Sequence, residues 1–125
     1  MRLAAAALLL AGCAAQTDAL CPAGFAPATI AEAYFGVRDP AAWTAFLADT
    51  VTPAFPDGLT HLAAGGQWRQ GGAIGREDSR VLVLVLPGAS LADAAARLAP
   101  VEAAWRDRQA QQSVLRVLRP GCAAF

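Results

Sequence analysis

The sequence contains no lysine, one histidine, one methionine, one tyrosine and three cysteines. All ten basic residues are arginine, a bias of codon composition more than of mechanism. The formal net charge is +0, and the 16% of charged residues are dispersed along the chain. That excludes the long basic face of a nucleic-acid-coating protein. One imidazole and three thiols leave little material for a metal site, and none is expected. No phosphate loop, paired-carboxylate spacing or metal-ligand cluster is present, so no cofactor is implied. Beyond the N-terminus the longest apolar run is Val81 to Leu86, far short of the roughly 20 residues that span a bilayer. What is plentiful is hydrophobic side chain, 56% of 125 residues. That content excludes a disordered chain and suits one small domain rather than two.

The first residues carry the clearest address. Met1 and Arg2 precede an apolar run from Leu3 to Ala11, followed by Gly12 and Cys13. One positive charge before a short apolar stretch is the layout of an export signal. Leu10-Ala11-Gly12-Cys13 resembles the lipobox of bacterial lipoproteins. The resemblance implies cleavage after residue 12, acylation of Cys13 and anchoring to a membrane of the cell envelope. Several acyl chains hold a protein firmly where one holds it only marginally. Ala14, rather than Asp, favours the outer membrane by the same resemblance.

Export places the domain where disulfides persist. With Cys13 lipidated, Cys21 and Cys122 remain as an even pair, and a bridge between them is expected. Closing a loop of roughly 100 residues restricts the unfolded chain by up to about 4–5 kcal/mol in the loop-entropy account.

Residues 13–29 read as a lipidated tether and residues 30–125 as the domain. A first strand spans 30–38. Asp39-Pro40 then starts a helix, with Asp as the cap and Pro at the first helical position. Trp43, Phe46, Leu47 and Val51 form its apolar stripe, and Pro53 is expected to end it. Phe55-Pro56-Asp57-Gly58 is a turn, with Asp57 forming it. A strand from Leu59 is interrupted by a bulge at Gly65-Gly66 and resumes at Gln67. Gly71-Gly72 makes a tight hairpin that sets Gln70 opposite Ala73, Ala63 opposite Arg80 and His61 opposite Leu82. Val81 to Leu86 suits a central strand. Ser90-Leu91-Ala92-Asp93 is a capping box for a helix with Leu91, Ala94, Ala95, Leu98, Val101 and Trp105 on one face. Pro100 is expected to kink or divide that helix. Gln112 to Leu118 is the last strand, closed by Pro120-Gly121. The order βαββαβ predicts an α+β, ferredoxin-like sandwich: a four-stranded antiparallel sheet with two helices on one face. The start of the first strand then lies beside the end of the last, which would bring Cys21 to Cys122.

Five strings carry a family resemblance: Tyr34-Phe35-Gly36, Thr52-Pro53-Ala54-Phe55, Gly66-Gln67-Trp68-Arg69, Arg76-Glu77-Asp78-Ser79-Arg80 and Gln112-Ser113-Val114-Leu115-Arg116. Together they resemble the bacterial family called domain of unknown function 3574. Ala54 stands where that family's Thr-Pro-Arg-Phe string has arginine. The resemblance implies an exported bacterial protein, often a lipoprotein, and implies no activity.

Strand alternation groups His61, Arg80, Leu82 and Leu84 on one face. If Phe35 points to the helices, the opposite face is expected to carry Tyr34, His61, Arg80, Leu82, Leu84 and Arg116. Such a surface suits a partner, including a homodimer joined sheet to sheet, or a small ligand held by Arg80 and Arg116. Trp68 serves as an aromatic anchor or packs over the glycines. Glu77 and Arg80 are expected to form ion pairs, and Gln111-Gln112 either mark the helix exit or meet something polar. A binding or assembly module follows. The alternative is a small periplasmic enzyme or ligand-binding protein using the same open face.

Overall fold

A computed structural model describes residues 21–125. The expected signal peptide, the lipidation site Cys13 and the start of the tether lie outside the described residues. Strand β1 spans Ala26–Val37, β2 Thr60–Gln70, β3 Ala73–Pro87 and β4 Leu115–Ala123. The strands form one antiparallel sheet in the order β2-β3-β1-β4. Helical segments α1 (Pro40–Phe46), a π turn (Leu47–Val51), α2 (Thr52–Ala54) and α3 (Leu91–Gln109) supply the second layer. This is the ferredoxin-like α+β sandwich. No helix among the described residues is long and apolar enough to cross a membrane.

Local chemistry accounts for most element ends. The Asp39 side chain accepts from the Ala41 N–H and caps α1, with Pro40 at its first position. Ser90 and Asp93 form both bonds of a capping box at α3. Gly71 and Gly72 adopt φ 55° and 84°, the left-handed pair that a two-residue hairpin requires. The β2–β3 ladder then pairs Gln70 with Ala73, Ala63 with Arg80 and His61 with Leu82, as the sequence predicts. The ladder runs through Gly65 and Gly66 without a slip, so there is no bulge there.

The prolines interrupt less than expected. Pro53 does not end the first helical body. The chain widens into the π turn, where Thr52 N–H bonds to the Leu47 carbonyl, and α2 follows. Five residues separate buried Phe46 from buried Val51. In a plain α-helix that spacing would turn the second side chain about 140° away from the first. The wider turn returns Val51 to the core. Pro100 lies inside α3 without dividing it, on the exposed side of the helix. Pro120 lies within β4, an edge strand, where a missing donor costs no ladder bond on the solvent side. β1 begins at Ala26, so the last tether residues are strand.

The core sits between the sheet and the helices. Ala31, Ala33, Phe35, Val37, Leu82, Leu84 and Leu86 face Trp43, Phe46, Val51, Ala94, Leu98, Val101 and Trp105. Leu91, expected in that stripe, is 44% exposed at the helix start. The Phe46 and Trp105 rings lie 4.7 Å apart, and Trp43 and Trp105 meet edge to face at 5.3 Å. Such aromatic pairs add about 0.5–1.5 kcal/mol each beyond their burial. Cys21 and Cys122 form a disulfide, and Pro27 pairs with Cys122 in the β1–β4 ladder. The bridge therefore joins the segment just before β1, one of the two central strands, to the end of edge strand β4.

Candidate functional site

Directly paired residues share a sheet face, and this divides the expected face in two. Phe35 pairs with Arg80, Ala33 with Leu82 and with Arg116, and Leu82 with His61. Arg80, Leu82, Leu84, His61 and Arg116 therefore lie on the helix side, against expectation. Leu82 and Leu84 are core residues. The His61 ring stands edge-on to Trp43 at 6.2 Å, on edge strand β2. Arg116 lies on the opposite edge, β4, paired with Glu102 of α3 at 3.0 Å. Arg80 donates to the Ser79 carbonyl. His61 and Arg116 stand on opposite edges of the sheet, and none of the three lies on the open face where they were expected together.

Tyr34 and Trp68 do lie on the open face, with Ile30, Glu32, Val81, Val83, Val85, Leu62, Leu115, Val117 and Arg119. That face has two halves. One is apolar: Leu62 is 51% exposed, Leu115 64% and Val117 40%. Its charges are Glu32 and Arg119, joined at 2.7 Å, with the Tyr34 hydroxyl donating to Glu32 at 2.9 Å. The Arg119 hydrogen bond, then that of Tyr34, lowers the Glu32 carboxyl below the usual glutamate range. Donation to Glu32 in turn raises the Tyr34 hydroxyl.

The other half is a hollow, because its floor residues are small. Gly36, Ser79, Ala64 and Gly66 meet there across β1, β3 and β2. Two bonds fix the wall. Trp105 of α3 donates to the Gly36 carbonyl at 2.9 Å, and Gln109 accepts from Arg38 N–H. Ala110 then turns left-handed, φ 50°, and carries Gln111 to Ser113 over the sheet edge. Among these groups stands Glu77. A Cβ on Gly36 would lie 2.7 Å from its carboxylate oxygens, so the carboxylate keeps this seat only while residue 36 has no side chain. The cavity measures about 390 Å³, within the range of small-molecule sites. Trp68 packs over Gly75 beyond it, where a Cβ would come within 2.5 Å of the indole.

Glu77 and Arg80 were expected to form ion pairs, but they occupy opposite faces of β3 and neither enters an ion pair among the described residues. Glu77, Gly36 and Ser79 were not singled out as a site by the sequence. The signal was there: four of the five family-like strings supply residues to this one hollow. The fifth, Thr52 to Phe55, lies elsewhere. There the Ala54 carbonyl accepts from Arg97 of α3, whose guanidinium stands 4.8 Å over the Phe55 ring. A guanidinium thus occupies this corner although Ala54 has none to offer.

The fold and this open-faced sheet define a ferredoxin-like α+β domain. A phage SAM lyase in complex with S-methyl-5'-thioadenosine is similar in fold, with TM-score 0.57 and 14% identity over 78% of this chain and 90% of that one. CutA from Synechococcus elongatus is similar at TM-score 0.52 and 9% identity, over 79% of this chain and 81% of that one. At such identities the likeness shows the fold alone. No curated protein matches the chain. Residues 31–125 match the family described as "Protein of unknown function (DUF3574)", and the chain belongs to that family.

Proposed function

We propose that the protein is a lipid-anchored cell-envelope module that works by assembly, packing the apolar half of its open sheet face against a second copy of itself. The observation that carries this reading is the cluster Leu62, Val85, Leu115 and Val117, each more than a third exposed on one side of the sheet. Contiguous exposed apolar side chains mark interaction surfaces. A two-fold contact presents the same surface to itself, so an unpaired charge near its axis would meet its like. Here Glu32 and Arg119 already neutralise each other. The envelope address is supported by the lipobox-like Leu10 to Cys13 and by the Cys21–Cys122 bridge, a bond that lasts in oxidising compartments.

Sedimentation of the chain across a concentration range tests the assembly. The expected result is a dimer that Leu62→Glu or Val117→Glu converts to a monomer with unchanged circular dichroism. A wild type that stays monomeric at every concentration overturns it. For the anchor, Cys13→Ser is expected to move the protein from the membrane fraction to the soluble one.

A further inference from the structure

Most described acids have a cap or ion-pair partner, and those without one other than Glu77, namely Asp57, Asp78 and Asp107, are exposed. Asp39 and Asp93 cap helices, Asp49 pairs with Arg108, Glu102 with Arg116 and Glu32 with Arg119. Glu77 enters none of the ion pairs among the described residues. It is nevertheless half-buried, and its carboxylate is seated over Gly36 in the hollow. A carboxylate seated over a hollow and joined to no arginine is free to take a cation from solution in a charge-assisted hydrogen bond. A second group in the same wall lacks its partner: the Gln111 amide nitrogen Nε2 is buried and meets no acceptor. The remaining walls are mixed, with the Tyr34 ring, Val81 and Leu115 on the apolar side and Ser79 and Ser113 on the polar side.

We infer that the hollow around Glu77 is a binding site for a small organic cation, an ammonium or guanidinium compound that also carries an acceptor oxygen. The cation pairs with the Glu77 carboxylate. The acceptor oxygen takes the Gln111 amide, and the carbon skeleton lies against Tyr34, Val81 and Leu115. A bare divalent ion suits the site poorly, since no three metal-ligating side chains gather among the described residues. Gly36 and Gly66 serve the site by leaving room for the carboxylate, and α3 serves it by placing Gln111 through the Trp105 and Gln109 bonds. This site borders the apolar half used for assembly, with Leu115 common to both, and its argument does not rest on assembly.

Amide chemical-shift titration tests the proposal, with argininamide and lysinamide as the guanidinium and ammonium probes and neutral glutaramide as the control. Running it on the wild type and on Val117→Glu, whose position lies outside the hollow, separates this site from the dimer contact. The expected result is saturable shifts at Gly36, Gly66, Ser79 and Gln111 to Ser113 with at least one cation and none with glutaramide. Glu77→Gln is expected to weaken binding by about tenfold to a hundredfold, the loss typical of a hydrogen bond to a charged group. Gly36→Ala keeps the charge but pushes the carboxylate out of place, so it is expected to weaken binding as well, with the fold checked by the unchanged remainder of the spectrum. No saturable shift with either cation up to about 10 mM, a range that reaches past millimolar affinity, overturns the proposal. So does undiminished binding by Glu77→Gln.

Discussion

Val83 and Leu84 are neighbours on β3 and meet different worlds. Leu84 is 1% exposed under the helices, whereas Val83 looks out over the open face. On the covered face, aliphatic and aromatic side chains close-pack against α1, the π turn and α3. On the open face, β-branched Val81, Val83 and Val85 form a pleated apolar surface that no helix among the described residues covers. One face explains why the domain folds. The other carries an exposed apolar half and a hollow whose carboxylate enters no ion pair among the described residues. Hydrophobicity along this chain therefore does not tell the covered face from the open one, because both are built from apolar residues.

The strongest test acts where the two faces share a support. Replacing Cys21 and Cys122 by serine is expected to destabilise the domain by up to about 4–5 kcal/mol, from the freed loop between residues 101 positions apart. Denaturant unfolding with and without reductant measures it. A second comparison uses the adjacent pair directly. Leu84→Ala is expected to cost about 3 kcal/mol, and Val83→Ala in the monomeric background less than about 1 kcal/mol. Equal losses would mean that the open face is core. The smallest effect concerns Glu32. Its carboxyl is depressed in the folded state, so its contribution is present above the unfolded value and is lost as pH falls through the folded one. Glu32→Gln should therefore trail the wild type near neutrality, with the gap closing below about pH 4. Tyr34 is the sole tyrosine, so phenolate absorbance reports it alone. It should titrate at lower pH in Glu32→Gln, because its hydroxyl then loses the carboxylate to which it donates.

Short-range chemistry was legible in the chain. Asp39-Pro40, Ser90 with Asp93, and Gly71-Gly72 each act within a few residues, and each stands where the sequence puts it. The hairpin fixed the β2–β3 register, which followed correctly down to His61 opposite Leu82. What failed was the choice of face. In Val81 to Leu86 both alternations are apolar, so the run has no polar side to point outward. Only the pairing of Phe35 with Arg80 links the phase of β3 to that of β1. Once that link is made, His61, Arg80 and Arg116 move to the helix side and Glu77 moves to the open one. Glycine misled for a related reason. Gly65-Gly66 resembles a bulge signal, yet Gly66 keeps a regular ladder and leaves room near Glu77. The prolines likewise sit where solvent, an edge or a widened helical turn absorbs the missing donor.

The element order, the caps and the hairpin register were legible in the residues alone, since each depends on local stereochemistry; the pairing of Cys21 with Cys122 followed from the element order only with Cys13 set aside as a lipid site. Tertiary structure alone decided which side of the sheet the helices cover and which residues meet in the hollow. Those outcomes depend on Gly36, the Gly66–Glu77 pair and Gln111, three separate stretches of chain that line one hollow only when β1, the β2–β3 hairpin and the exit of α3 come together.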